Sequence, residues 1–339
     1  MIESINLNLQ RILDNWGLRL LYWEKIRDVY RVYTDQGSKN LKVSPNYPAR
    51  LLFVHQAVEH LTKQGFSKMV PLIPTLHGDT YVGDQQYAYS LFDWIEGRQC
   101  DYRNRQELID SAKALAEFHQ RTLGFTPPAK SNMRDHLGKC LRYFEERHQD
   151  LLQFREMAAA RPKDRFAEAY LANIDTFLPM AQTAISKMRQ SSYQSLVEQA
   201  KMLKPFCHGD PAARNFILTP EGRIFLIDFD SCRLDLPLMD LIKFTRRVLK
   251  KHRWNYQTAG LLINAYQDVN PISWSELEVM KAVFYFPQKF WRLSIRYFHQ
   301  NIRYKPERLY LKFLKHLANR TNIAAFQRAF ELYQPYGGK

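Results

Sequence analysis

The residues most able to do chemistry lie between 206 and 230. Phe206-Cys207-His208-Gly209-Asp210-Pro211-Ala212-Ala213-Arg214-Asn215 runs into the apolar Phe216-Ile217-Leu218. A turn at Thr219–Gly222 follows, then Ile224-Phe225-Leu226-Ile227-Asp228-Phe229-Asp230. Asn215 stands five residues after Asp210, and Asp228 thirteen after Asn215. A hairpin of that length returns the chain beside its start, so Asp210, Asn215 and Asp228 can meet at one end of two short strands. Phosphoryl transfer asks for these residue types, because positioning and charge neutralisation dominate it. Mg2+ prefers hard oxygen ligands and keeps several waters. Asp228 would give it a carboxylate, and Asn215 a neutral amide oxygen. Asp210 would orient an attacking hydroxyl or accept its proton.

The flanking elements must position that set. Residues 3–16 have helical apolar spacing, and 18–34 read as strands closed by the turn signal Asp35-Gln36-Gly37-Ser38. Asn40-Leu41-Lys42-Val43 is a third short strand, and 49–64 an amphipathic helix with Gly65 at its end. Two more strands flank His77-Gly78-Asp79-Thr80, ending in Tyr87–Phe92. That tripeptide repeats His-Gly-Asp, but Asp84 stands where an asparagine is needed, so it reads as a hairpin turn. After Gly97 helices take over, at 106–121, about 135–159, 164–189 and from about 237 onward. The fold class expected is α+β and two-lobed. A small lobe, 1–95, holds an antiparallel sheet and one helix, and a large, mostly helical lobe, 96–339, carries the catalytic loop 206–230.

Composition narrows the classes. Four scattered cysteines form neither a CxxC pair nor a disulfide ladder, which points to a reducing compartment. No apolar run approaches a membrane span, and MIESINLNLQ lacks the pattern of a signal peptide, so synthesis and folding in the cytoplasm are expected. The 339 residues carry a net charge of +15, unevenly spread: residues 241–320 hold sixteen basic against four acidic residues. That field attracts anions and disfavours a polycationic substrate. In this segment the charges alternate with aromatic and aliphatic residues, which equally fits solvated faces of amphipathic helices. Nucleic acid is not the expected partner, since no recognised binding module is present and charge alone would have to drive it.

The His-Gly-Asp-x-x-x-x-Asn and Ile-Asp-Phe-Asp pair resembles the aminoglycoside phosphotransferase and choline kinase-like family, which has the protein-kinase-like fold. Leu91-Phe92-Asp93-Trp94-Ile95-Glu96-Gly97 is similar to the family's hinge, and the resemblance implies that Phe92 and Trp94 border the adenine of ATP. It implies that Lys42 contacts the nucleotide phosphates, that Asn215 and Asp228 ligate Mg2+, and that Asp210 is the catalytic base. Within the family, the length and Phe286-Pro287-Gln288-Lys289-Phe290-Trp291-Arg292-Leu293 look like the CotS-type spore coat proteins. Two departures stand out. Tyr22–Arg31 has no glycine where the family's first hairpin has several, and the helix that should offer Lys42 a glutamate has Val54, His55 and Gln56 there, with Glu59 lower down.

Two functions follow. The first is transfer of the ATP γ-phosphate to a hydroxyl of an unknown neutral or anionic acceptor, in a protein associated with the spore coat and its proteins. The alternative is a catalytically weak or inactive kinase-fold structural protein of that coat. Asp230 is expected to cap its loop, Asp240 to be a buried hydrogen-bonding residue, His119 to sit in a helix core, and Cys207 and Cys232 to act as small buried hydrophobes.

Overall fold

A computed structural model describes residues 2–26, 29–45, 48–83, 86–132, 134–299 and 305–334, with side chains from residue 8 onward. Asp84 lies outside the described residues. The chain forms two compact units, residues 1–135 with 204–234 and residues 136–203 with 235–339. The lobe boundary expected near 93–97 falls inside the first unit.

The first unit begins with α1 (Ile2–Leu13) and a 3-10 turn, then β1 (Leu20–Ile26), β2 (Val29–Thr34), β3 (Gly37–Pro45) and α2 (Pro48–Lys63). After β4 (Leu72–Ile73), β5 (Val82–Gly83), β6 (Tyr87–Asp93) and β7 (Arg98–Gln99) comes α3 (Arg105–Arg121), and then β8 (Phe216–Leu218) and β9 (Ile224–Leu226). The main sheet is antiparallel in the order β1-β2-β3-β6-β4, with β5 also paired to β6. Its sidedness follows from the period of two along a strand. Leu41 is fully buried in a cluster with Leu9, Leu13, Trp16, Val32 and Leu91, beneath α1. Its neighbours Asn40 and Lys42 face the other way, into a cavity. β3 is central, so Lys42 is not the edge-strand lysine its position could have made it.

The second sheet is the small antiparallel β7-β8-β9, turned at Thr219–Gly222 as expected. The loop before β8 is anchored by Phe206, which packs on Phe118 and Phe125 at centroid distances of 5.7 and 4.8 Å.

The second unit is helical: α4 (Cys140–Ala159), α5 (Arg165–Gln190), α6 (Tyr193–Leu203), α7 (Pro237–Leu249), α8 (Tyr256–Gln267), α9 (Trp274–Tyr285), α10 (Gln288–Phe298), α11 (Pro306–Leu317) and α12 (Arg320–Glu331). Asp164 caps α5 by accepting from Phe166 and Ala167, and Ser273 with Glu276 forms a capping box on α9. Its core is aromatic: Phe177 stacks on Phe290 at 4.0 Å and Phe166 on Phe313 at 4.3 Å. Phe286, Phe290 and Leu293 recur at i, i+4 and i+7 and are buried, and Tyr297 at i+11 is half-buried, so this stripe packs into the core. Asp240 is fully buried on α7. Helix α4 begins at Cys140 rather than near 135, because Gly138 takes a φ of +75° just before it.

Candidate active site

All the expected site residues belong to the first unit. Lys42, Phe92, Trp94, Asn215 and Asp228 line one cavity of about 610 Å3, within the usual range for ligand pockets. Ile26, Val29, Val43 and Val70 supply apolar walls from the main sheet and the segment before it, and Ile217, Leu226 and Ile227 from the small sheet. Phe92, Asp93, Trp94 and Ile95, at the end of β6 and just after it, line another side. The amide of Trp94 donates to Ser38 O at 3.1 Å, and the Arg31 guanidinium lies 4.8 Å over the indole, so the ring is held on one face. Gly97 is required here. Its φ is +153°, and a Cβ would meet Leu218 O at 2.4 Å.

At the polar end Lys42 Nζ stands 3.2 Å from Asp228 Oδ1 and 2.7 Å from Asp230 Oδ1. The Lys42 side chain is 20% exposed, against 43% and 50% for the two carboxylates. Burial alone would lower the lysine pKa, but Asp230 and then Asp228 outweigh it and hold it above its ordinary value. Burial likewise pushes Asp228 up, and the Lys42 charge more than reverses this, leaving its pKa below the ordinary value. Asp228 sits at φ +66°, ψ +71°, a strained conformation for a non-glycine residue and a common mark of functional sites.

The expectation that Lys42 lacks a carboxylate partner does not hold. The missing helix glutamate is replaced by two loop acids. The α2 position near Lys42 is taken by His55, which is 4% exposed. Its Nδ1 pairs with Thr80 Oγ1 at 2.9 Å and its Nε2 with Ser90 Oγ at 3.2 Å. Ser90 is the register partner of Lys42 on β6. Burial and then Lys42 push the His55 pKa down to about 4, so it is neutral near pH 7. Asp230 is not simply a loop cap: its carboxylate serves Lys42, while its carbonyl accepts from Arg50 of α2 at 2.5 Å. Arg50 also donates to Cys232 O at 2.7 Å, tying α2 to the acidic loop.

Asp210 does not line the cavity, although its neighbours Arg214 and Asn215 do. Its side chain is 15% exposed and paired through Oδ2 with Arg214. Asn215 Nδ2 donates to Asp210 O at 2.8 Å, which turns its Oδ1 away from Asp210. His208 is fully buried. Its Nδ1 accepts from Asp210 N at 3.2 Å, so Nε2 carries the proton toward Ile227 O at 3.0 Å. That imidazole couples the start of the loop to the residue before Asp228. Gly209, at φ +80°, passes so close to the turn after Asp228 that a Cβ would lie 2.0 Å from Ser231 O. Cys207 and Cys232 are buried nearby, and His119 is buried on α3.

An oxygen-seeking cation fits the side chains at this end. Asp228 offers a partly exposed carboxylate and Asn215 an amide oxygen, on two adjacent segments facing one cavity.

Sequence reasoning missed His55, Arg50 and the apolar walls. The cross-strand register that sets Val29 opposite Lys42 and Ile26 opposite Val29 was a usable signal for those two walls. Nothing local marks Arg50, whose partners lie 180 and 182 residues away.

Comparison with known proteins gives consistent results. The model of the phosphotransferase enzyme family matches residues 22–266. Spore coat protein S of Bacillus subtilis (strain 168) is 28% identical over 273 residues, covering 80% of this chain and 77% of that protein. An aminoglycoside phosphotransferase structure from Alicyclobacillus acidocaldarius superposes with a TM-score of 0.84 at 22% identity, covering 95% of each chain. The AMP-bound complex of a spectinomycin phosphotransferase superposes with a TM-score of 0.63 at 15% identity, covering 97% of this chain and 99% of that one. The fold is therefore the kinase-like α+β architecture that the motifs implied. Among the described residues no helix is long and apolar enough to cross a membrane.

Proposed function

Because the chain belongs to the phosphotransferase enzyme family, we propose that it binds Mg-ATP in the first-unit cavity and transfers the γ-phosphoryl group to a hydroxyl of a neutral or anionic acceptor. The observation that carries this reading is the cavity itself. It has an apolar, aromatic-edged end of adenine character and a polar end where Lys42, Asn215 and Asp228 come together. Phe92 and Trp94 flank the base. Lys42 holds phosphate oxygens, and Asn215 and Asp228 hold the metal. The metal, when bound, neutralises phosphate charge. Asp210, with one oxygen pinned by Arg214, orients the acceptor hydroxyl and takes its proton.

The rate ascribed to Asp210 is the test. An Asp210→Asn variant should lose about 10²–10⁴-fold in turnover with its nucleotide-induced melting shift intact. Equal turnover in both proteins refutes the assignment.

A second reading, a kinase-fold component of the spore coat with little or no turnover, is supported by the similarity to spore coat protein S and by Lys42 itself. Asp228 and Asp230 neutralise Lys42. ATP must therefore displace an existing ion pair, which lowers affinity. No melting shift with millimolar Mg-ATP, together with incorporation into isolated coat, would favour this second role.

A further inference from the structure

The basic excess of 241–320 plays no part in the cavity above, and it is concentrated rather than spread. We infer that Lys250, Lys289, Arg292, Lys315 and His316 form a binding site in the second unit for a small, multiply charged phosphate-bearing ligand. The residues come from three elements: Lys250 closes α7, Lys289 and Arg292 stand one turn apart on α10, and Lys315 and His316 lie in the last turn of α11. Helices α10 and α11 pack directly on each other, with Phe290 5.2 Å from Phe313 between them.

His316 separates this from an ordinary solvated face. It is only 5% exposed, its ring lies 5.8 Å from Phe177 at 27°, and its Nε2 is buried with no hydrogen-bond partner. A buried polar nitrogen without a partner costs free energy, and such atoms are rare in folded proteins. The charges acting on this ring are all positive: Lys289, Lys250 and Arg292. Burial and then these charges hold its pKa down near 3. Lys289 in turn feels Arg292, Lys315 and Lys312. Among the described residues no carboxylate pairs with Lys250, Lys289 or Lys315.

A cluster of this kind repels itself and opposes folding until an anion enters. A phosphate group satisfies both features at once, bringing negative charge for the ammonium groups and oxygens for a buried imidazole N–H. Cations from separate helices acting on one buried ring favour a compact ligand over a long polyanion, which would need charges strung along a surface. The inference does not depend on the phosphotransferase reading.

The test uses the full chain, without nucleotide or magnesium, titrated with inorganic pyrophosphate by calorimetry in 150 mM NaCl, about physiological ionic strength. Saturable one-to-one binding is expected. It should persist in Lys42→Met, which removes the cavity's own phosphate-binding cation. It should weaken at least about tenfold in Lys250→Gln/Lys289→Gln and several-fold in His316→Phe, which keeps the aromatic packing. Without ligand, the Lys250→Gln/Lys289→Gln protein should melt higher than the parent. Failure to bind, or binding lost in Lys42→Met and kept in the double variant, overturns the inference. So does binding seen only with long polyanions and abolished by salt.

Discussion

Lys42→Met tests the polar end of the cavity most directly, because the structure predicts effects of opposite sign on two observables. Lys42 makes two charge-assisted contacts, 2.7 and 3.2 Å long, to acids that are about half exposed. Two charges 4 Å apart near a protein surface attract by about 4 kcal/mol before desolvation, and measured exposed pairs retain only ~0.2–1 kcal/mol. Lys42 is the more buried partner, so the two contacts together should stabilise the chain by about 1–2 kcal/mol. Replacement by methionine preserves the stem's packing, removes that stabilisation, and leaves Asp228 and Asp230 repelling each other. In a double-mutant cycle with Asp230→Asn by denaturant unfolding, the coupling should be about 1 kcal/mol at low salt and clearly smaller at 0.5 M. Lys42→Met should also bind Mn2+ alone more tightly, by several-fold, because Asp228 Oδ1 is released and a repelling ammonium is gone. Mg-ATP should bind more weakly, because the phosphates lose their lysine. Zero coupling with Asp230, or Mn2+ affinity that falls with Mg-ATP affinity, would refute the geometry and the roles drawn from it.

Other consequences are simpler to measure. Gly209→Ala should destabilise the chain by about 3 kcal/mol or more, since a left-handed φ and a 2.0 Å approach to Ser231 O admit no Cβ; a melting temperature within a degree of the parent would count against the loop path. His55 is held neutral in the folded state with a pKa near 4, against 6.5 for the free side chain. The unfolded chain therefore binds the extra proton, and stability should be full above about pH 6.5 and decline as pH falls toward 4. The span is roughly 3 kcal/mol from this residue. A His55→Gln protein should have a correspondingly flatter stability curve between pH 6.5 and 4.5, and an identical curve in both proteins would contradict it. Arg50→Met should loosen the acidic loop from α2, seen as faster amide exchange at Cys232 and Arg233 than at the α5 interior.

What the sequence disclosed follows the range of the interactions involved. That Asn215 and Asp228 face one cavity was legible because a single short hairpin separates them, and a hairpin's register is a local property; Asp210, ahead of that hairpin, does not line the cavity. Lys42 was legible as a strand residue, since alternation with Leu41 sets which face it takes. Its partners were not. Asp228 and Asp230 lie 186 and 188 positions away, and spacing rules for a helix could say only that the α2 glutamate was absent. Helix α6 was not among the expected helices, although Tyr193, Leu196, Val197 and Ala200 carry a helical face. The basic cluster was visible as composition, but its convergence on His316 needs the packing of α10 on α11.

The carboxylate count around Lys42 explains how a helix without a glutamate can be tolerated. A strand lysine in a desolvated cavity needs compensation close to its own charge, or burial drives off its proton. Here two loop acids supply it, and neutral His55 takes the helix position. A glutamate there, added to Asp228 and Asp230, would leave three carboxylates about one lysine with no cation bound. The arrangement has a consequence for the nucleotide cycle. Asp228 is both a partner of Lys42 and the proposed metal ligand, so Mg2+ and the ammonium compete for one oxygen. Entry of Mg-ATP resolves the competition only when Lys42 transfers to the phosphates. Metal and nucleotide should therefore bind with positive coupling, each raising the affinity of the other by the same factor. Asp230→Asn should weaken Lys42's hold on the resting site and raise Mg-ATP affinity. If it lowers that affinity instead, Asp230 is acting on the metal and the exchange of partners by Lys42 is wrong.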